Sequence, residues 1–341
     1  MVTIRDVAAR ARVSVGTVSN VLAGLATVRP EMRRRVEQAM RELDYHPNQI
    51  ARSLKTRSTK TLGTIISDIT NPFYPQLVRG AEDAALAAGY LLITLNTDDN
   101  AERERQAMSV LRARKVDGVL ITMAPGGDEA HLRATVEAGV PLVALDRVPE
   151  GIGVDSVSTD STQGARMCMH HLLSRGHRRI GLVTANVQIP TARARLEAYR
   201  AALAEAGIEV DEALVKCGDN RIDSGYRLSK ELLLEARPPT AVFAANAMMG
   251  FGVLKALREL DLKCPGDVAL AVYDDVPFGD VLRPRLTVVA QPAYEMGRIG
   301  AELLIKRIEG RETSPQPVTI KLPPELIVRE STAARESTTL L

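Results

Sequence analysis

From Leu62 onward, short apolar runs alternate with longer amphipathic stretches, and few architectures tolerate that pattern. LGTIIS, YLLITLN, DGVLIT, PLVALD, RIGLVT, AVFAAN and VALAVY each span about six residues and end near polar or Gly/Pro signals. Helical stretches separate them, at about 76–88, 103–114, 163–174, 193–206 and 225–234. Continuous apolar strands buried on both faces, joined by helices, predict parallel sheets covered on both sides. With 341 residues and this many units, a small head followed by two similar α/β lobes is expected rather than one core.

The first sixty residues have a different pattern. Thr3 is placed as the N-cap of a helix, with Asp6 in the reciprocal position of a capping box. Ile4, Val7, Ala8 and Ala11 form one apolar face at helical spacing. Ser14 is expected to cap a second helix, whose Val18, Val21 and Leu22 pack back against the first. The other face of that helix carries Val15, Gly16, Thr17, Ser19 and Asn20, small enough to sit deep in a major groove about 12 Å wide. Pro30 suits the first turn of a third helix, which is expected to bury Met32, Val36, Ala39, Met40 and Leu43. Two short amphipathic helices with a tight bend are common, so charge has to decide whether they meet DNA. Residues 1–60 hold ten Arg and two Lys against two Asp and three Glu, a net of +7. The whole chain is only +2, so the remainder carries −5. That asymmetry is what a nucleic-acid contact at one end predicts.

The motifs TIRDVAARARVSVGTVSNVLAG, LDYHPNQIARSL, NPFY, GHRRIGLV, YDD and PPELIVREST stand in order from Thr3 to Thr332. In that order and spacing the chain resembles the lactose/galactose repressor family of bacterial transcription regulators. The resemblance implies a helix-turn-helix head and hinge helix joined to a two-lobed α/β periplasmic-binding-protein-like domain with parallel sheets. The expected divisions are a head over 1–46, a hinge over 47–61, an effector-binding and dimerisation domain over 62–332, and a tail over 333–341. The first lobe would take about 62–158 and 290–318, the second about 159–287 and 320–332. Crossings between lobes are expected near 157–160, 286–291 and 318–322.

By the same resemblance Val15, Gly16 and Asn20 hold positions that read base edges, while Ser14, Thr17 and Ser19 position the helix on phosphates. Thr3 joins them at the DNA surface. Two residues depart from the family pattern. Arg12 stands at the bend where Gly is usual, at a cost of roughly 1 kcal/mol if its φ is positive. Arg29 replaces the usual Ser or Thr cap of the third helix. In the hinge, Asn48 is expected to cap a helix over about 49–55, too short to be stable alone. The resemblance makes Leu54 a wedge in the minor groove, Ala51 a close contact between paired hinge helices, and Arg52 a DNA contact.

In the larger domain, polar residues follow the expected strands at 71–74, 97–100, 146–147, 186–191, 246 and 274–275, where ligands of open α/β sheets bind. Carried over residue by residue, the resemblance makes Phe73 and Tyr74 an apolar wall. Asp146 and Asp274 become hydroxyl acceptors, Thr191 and Arg195 donors, and Asn246 a two-way amide. Asn220 takes a position where several relatives stack an aromatic ring, and Gln291 a crossover edge. With Arg221 adjacent and Ala247 where sugar-binding relatives carry Asp, these departures leave room for an acidic sugar derivative.

The implied partners are near-palindromic operator DNA, a small effector (sugar or sugar derivative first, purine or other ligand as the alternative), and a second copy of the chain. No cofactor, metal or catalytic residue is expected. The histidines of HHLLSRGH lack a fourth ligand, and GIGVD lacks dinucleotide-loop spacing. Three widely spaced cysteines, no apolar run after Met1 and no membrane-length apolar stretch lead to an expected cytoplasmic location. A transport-type solute-binding protein would share the two lobes but would have no use for residues 1–55. RESTAARESTTLL shows no heptads, so no tetramerisation helix is expected.

Overall fold

The protein is described by a computed structural model covering residues 2–22, 27–46 and 58–333. The chain divides between residues 59 and 60 into two units. Asn48, Ala51, Arg52 and Leu54 lie outside the described residues.

The first unit holds α1 (Ile4–Ala11), α2 (Val15–Leu22) and α3 (Pro30–Glu42). Their apolar stripes meet in one small core of Val7, Ala8, Ala11, Val18, Val21, Val36 and Ala39. Asp6 accepts hydrogen bonds from the Thr3 backbone N–H at 2.8 Å and from its hydroxyl at 2.7 Å. The hydrogen bonds from Thr3 hold the Asp6 carboxyl below its usual pKa. Arg12 ends α1 with φ +54°, so this non-glycine residue bears the left-handed cost expected at the bend. Arg35 offsets part of it by donating to the carbonyls of Ala11 and Arg12, the otherwise unpaired end of α1. Arg29 makes no side-chain cap to α3. Met32 corrects the expected core: it is 37% exposed, on the outer side of the helix that buries Val36 and Ala39.

The second unit is built on two six-stranded sheets. The first contains β1 (Thr61–Ile66), β2 (Leu91–Asn96), β3 (Gly118–Ile121), β4 (Leu142–Leu145), β5 (Asp155–Thr159) and β11 (Thr319–Leu322). Its order is β11-β5-β4-β3-β1-β2, parallel throughout. The second contains β6 (Ile180–Ala185), β7 (Val215–Gly218), β8 (Ala241–Ala244), β9 (Ala269–Tyr273), β10 (Thr287–Ala290) and β12 (Glu325–Ile327). Its order is β12-β10-β9-β8-β6-β7, parallel except for the β10–β12 pair. The two orders correspond strand for strand, and the windings differ only at one edge, where β11 runs parallel and β12 antiparallel.

Helices cover both sheets. In chain order they are α4 (Phe73–Ala87), α5 (Ala101–Ala113), α6 (Ala130–Glu137), α7 (Ser161–Ser174), α8 (Pro190–Glu205), α9 (Ile222–Leu233), α10 (Ala247–Glu259) and α11 (Ala293–Ile308). The chain changes lobe after β5, after β10 and after β11. The last point moves a boundary. Residues 320–322 pair with β5 in the first sheet, so the final passage into the second lobe begins at Pro323 rather than at 320. A crossover strand stays in the sheet where it is hydrogen-bonded, and two consecutive prolines then prevent it from continuing the ladder.

Ser331 and Thr332 are tied into the second lobe by buried hydroxyls. Ser331 donates to the Leu270 carbonyl at 2.5 Å, and Thr332 lies 2.7 Å from both the Thr287 hydroxyl and His171 Nε2. Burial holds the His171 pKa below its usual value, with the Arg175 charge adding to that.

Candidate functional site

Two surfaces collect the sequence-derived candidates. On the head, Ser14 caps α2 by accepting from the Thr17 N–H at 3.1 Å, and its hydroxyl lies 2.9 Å from that of Thr17. With Val18 and Val21 turned into the core, Val15 is left 42% exposed beside exposed Ser14, Gly16 and Asn20; Thr17 and Ser19 are half-buried. A Cβ added at Gly16 would meet only Ser14 Oγ, at 3.6 Å. This face is therefore small, and its outer positions can approach a base edge closely.

In the second unit, the carboxyl ends of both sheets open into one cleft between the lobes. Phe73, Tyr74, Asp146, Thr191, Arg195, Asn220, Asn246, Asp274 and Gln291 all line it. Asp146 follows β4 and Asp274 follows β9, the equivalent strands of the two lobes. Asp99 after β2 and Asn220 after β7 form a second equivalent pair. All four have left-handed backbones, with φ of +62°, +76°, +58° and +67°. Asp and Asn tolerate that region better than other side-chain-bearing residues, and such strain concentrates at functional sites.

Each lobe sets a guanidinium beside its buried carboxylate. Arg147 donates to Asp99 at 2.5 Å, to the Met123 carbonyl at 3.1 Å and to the Tyr74 hydroxyl at 3.2 Å. Its Nε stands 3.9 Å from Asp146. Arg195 donates to the Ala245 carbonyl at 2.7 Å and stacks on the Tyr273 ring, 3.5 Å from the ring centre. Asp274 accepts from Gln291 at 2.6 Å. Burial pushes the Asp146 carboxyl up to about 6, against the opposing pull of Arg147 and Arg195. Asp274 is also raised by burial, with Arg195 again opposing.

Several buried polar atoms in the cleft have no hydrogen-bond partner: Asp146 Oδ1, Arg147 Nε, Thr184 Oγ1, Arg195 Nε and Gln291 Oε1. Buried polar groups are nearly always satisfied, so acceptors and donors left over in one place mark where a polar molecule completes them. The lining is rich in carboxylates. Asp68, Asp98, Asp99, Asp146, Asp219 and Asp274 outnumber Arg147, Arg195 and Arg221. The field of such an excess disfavours an anion, the ligand class that Arg221 and Ala247 leave room for.

Ser67 and Thr184 also line the cleft. Ser67 directly follows β1 and Thr184 lies in β6, and neither carries a sequence signal beyond its place near a strand's carboxyl end. Asp99 and Arg147 fall in windows that the strand-end rule selects, but their mutual pairing appears only once β2 and β4 are set in one sheet. Beside the main cavity, a second hollow shares Phe73, Asp274 and Gln291 and reaches Asp275 and Arg329. There Arg329 grips Asp275 with two hydrogen bonds of 2.9 and 2.7 Å. Among the described residues, no helix is long and apolar enough to cross a membrane, and no group of three or more side chains could hold a metal ion.

Comparison with known proteins agrees with both halves. Residues 3–48 match the profile described as "Bacterial regulatory proteins, lacI family", and residues 169–332 match "Periplasmic binding protein-like domain". The chain is 34% identical over 331 residues to the ribose operon repressor of Escherichia coli (strain K12), covering 97% of this chain and 100% of that protein. It is similar to the Lac repressor dimer bound to operator and the anti-inducer ONPF, at 28% identity and a TM-score of 0.86. That match covers 98% of this chain and 99% of the other. The transcriptional regulator CelR–cellobiose complex is 36% identical with a TM-score of 0.74, covering 97% of this chain and 100% of that one. The chain therefore belongs to the lacI family of bacterial regulatory proteins and is a transcriptional repressor with a ligand-binding domain of the periplasmic-binding-protein type.

Proposed function

We propose that this repressor is a cytoplasmic homodimer, that it binds a near-palindromic operator, and that a neutral polyhydroxylated sugar in the cleft controls its affinity for DNA. The observation that carries the ligand assignment is the pair of carboxylate–guanidinium sets facing one another, Asp146 with Arg147 and Asp274 with Arg195, with polar atoms of both sets unpaired. A vicinal diol donates from one hydroxyl to a carboxylate and accepts at the other from a guanidinium. Each set thus matches one diol, and the acidic balance of the lining favours an uncharged one. Phe73 and Tyr74 supply a wall for the sugar's C–H face. Asn246 and Gln291 add amides, and Thr191 and Asn220 complete the rim.

On the DNA side, Val15, Gly16 and Asn20 read bases, while Thr3, Ser14, Thr17 and Ser19 position the helix. Asn48, Ala51, Arg52 and Leu54 act from the hinge. Ligand binding changes the angle between the lobes and so the spacing of the two hinges, shifting the DNA-competent population. We assign no catalytic role to the cleft: its carboxylates serve as hydroxyl acceptors, as a binding site requires.

A thermal-shift screen of neutral aldoses, polyols, sugar acids and purines tests the ligand class. A neutral aldose or polyol should raise the melting temperature, and stabilisation by a sugar acid or purine alone would overturn the assignment. On selected operator DNA, log affinity should fall linearly with log salt, with a slope of about −0.9 per phosphate neutralised. Indifference to salt would refute the DNA reading.

Asp146 adds a pH dependence. Its folded pKa of about 6 lies above the ordinary carboxyl value of 3.8. Its contribution to stability is therefore fully present below the lower value and lost as pH rises through the upper one. Between pH 4 and 7 the ligand-free protein should lose stability that the Asp146→Asn variant does not lose. A hydroxyl donated to Asp146 favours the ionised form, so affinity for the sugar should rise through pH 6 with release of a proton. Calorimetry in buffers of different ionisation enthalpy reads that release directly, and an unchanged proton count in Asp146→Asn would remove Asp146 from this role.

A further inference from the structure

The cleft is already spanned by the protein's own side chains. The free space inside it is about 40 Å³, room for a water or two and too little for a monosaccharide. A molecule the size of a monosaccharide therefore needs the lobes to part, and the contacts that cross the gap set how readily they do so.

A chain of hydrogen bonds of fixed polarity crosses the gap. It starts at the amino end of α10, where Asn246 Oδ1 accepts the Met249 N–H at 2.7 Å. A backbone N–H can only donate, so this bond fixes which end of the Asn246 amide is oxygen. Its Nδ2 then donates to Asn220 Oδ1 at 2.8 Å. That in turn fixes the Asn220 amide, whose Nδ2 points across the cleft and donates to Asp99 Oδ2 at 3.4 Å. Asp99 belongs to the other lobe, where Arg147 and Ser67 donate to its second oxygen. Burial alone would raise the Asp99 pKa, but Arg147, Ser67 and Asn220 outweigh it and hold it below the usual value. Asp99 is thus an ionised acceptor facing a donor that cannot turn away without breaking its bond to Asn246.

We propose that Asn220 and Asp99 form an inter-lobe latch that biases the ligand-free repressor toward the closed cleft. Both residues hold left-handed backbones at equivalent strand ends. The two lobes therefore present the latch halves at matching positions on the rim. Elsewhere along the mouth Arg193 pairs with Glu150, and Gln188 lies against Gly126; neither contact touches the latch pair. The latch belongs to the ligand-free chain and holds whether or not the effector is a sugar.

Hydrogen exchange on the full-length, ligand-free protein tests it. Asn220→Asp sets a carboxylate against Asp99 and should speed exchange about tenfold at the segments around Gly126 and Gln188, on the scale of one lost hydrogen bond plus a like-charge contact. Core amides of β1 and β6 should not change. The reversed pair, Asp99→Asn with Asn220→Asp, restores a donor facing an acceptor and should return those segments close to wild-type protection. Unchanged exchange in Asn220→Asp would overturn the latch. So would faster exchange that the reversed pair fails to rescue, since the effect would then be local loosening rather than loss of this contact.

Discussion

Replacing Gly80 with alanine is expected to disable the first lobe, shifting the unfolding midpoint by an amount equivalent to at least about 3 kcal/mol. Gly80 lies on α4 where that helix crosses α11, and a Cβ there would penetrate the Tyr294 carbonyl oxygen and reach Arg298 N at 3.0 Å. The facing position is also glycine: a Cβ on Gly297 would penetrate the Leu77 carbonyl. In both cases the obstacle is backbone, which cannot swing aside as a side-chain tip does. The helices would have to separate, taking with them Leu77, Ala81, Met296 and Leu304, all buried in the same cluster. By contrast, Gly16→Ala on the exposed face of α2 meets only Ser14 Oγ, at ordinary contact distance, and should leave stability within about 0.5 kcal/mol. Urea titration followed by circular dichroism compares the two. A Gly80→Ala protein with wild-type stability would show that the crossing is looser than its geometry indicates.

Arg195→Met should abolish the ligand response, lowering affinity for whichever sugar the screen identifies by at least about a hundredfold. That is the scale on which a broken buried charge pair falls. The Arg195 charge acts on two buried aspartates, opposing the upward shift of both Asp146 and Asp274. Methionine preserves length and fills the space over Tyr273 but carries no charge. Without the guanidinium both carboxyls should bind protons at higher pH, so the stability lost through Asp146 ionisation should move above pH 6. Arg195→Lys retains charge but loses the planar stack on Tyr273 and the fixed geometry of the guanidinium, and should fall between the two. Isothermal titration reads the affinity and pH-dependent melting reads the protons. An Arg195→Met protein that binds the sugar normally would remove Arg195 from the site.

Much of this protein was legible in its residues, for identifiable reasons. The α1–α2 pair follows from apolar spacing and two caps, all within twenty residues, so local chemistry decides it. The central strands of both lobes are continuous apolar runs because both faces are buried, and that pattern survives in one dimension. The strands at the margins and crossovers were harder to see. β5 reads DSVST and β11 reads TIKL. They become strands only because a neighbour supplies a ladder, Thr319 opposite Ser156 across more than 150 residues of chain. For the same reason the lobe boundary expected near 320 lies past Leu322.

The cleft divides in the same way. The rule that polar residues after parallel strands converge was enough to select Asp146, Asn246 and Asp274, and family position added Arg195, Asn220 and Gln291. That Arg147 is held by Asp99, that Arg195 serves two aspartates, and that Asn220 reaches the opposite lobe are relations between residues 48 to 121 positions apart. No periodicity carries such pairings. Hydrophobic period and local caps settle which segments are helix or strand and where polar groups gather, and both are written along the chain. Which charges pair, which stay unsatisfied and how the lobes clasp depend on distances and burial that exist only once the two sheets face each other.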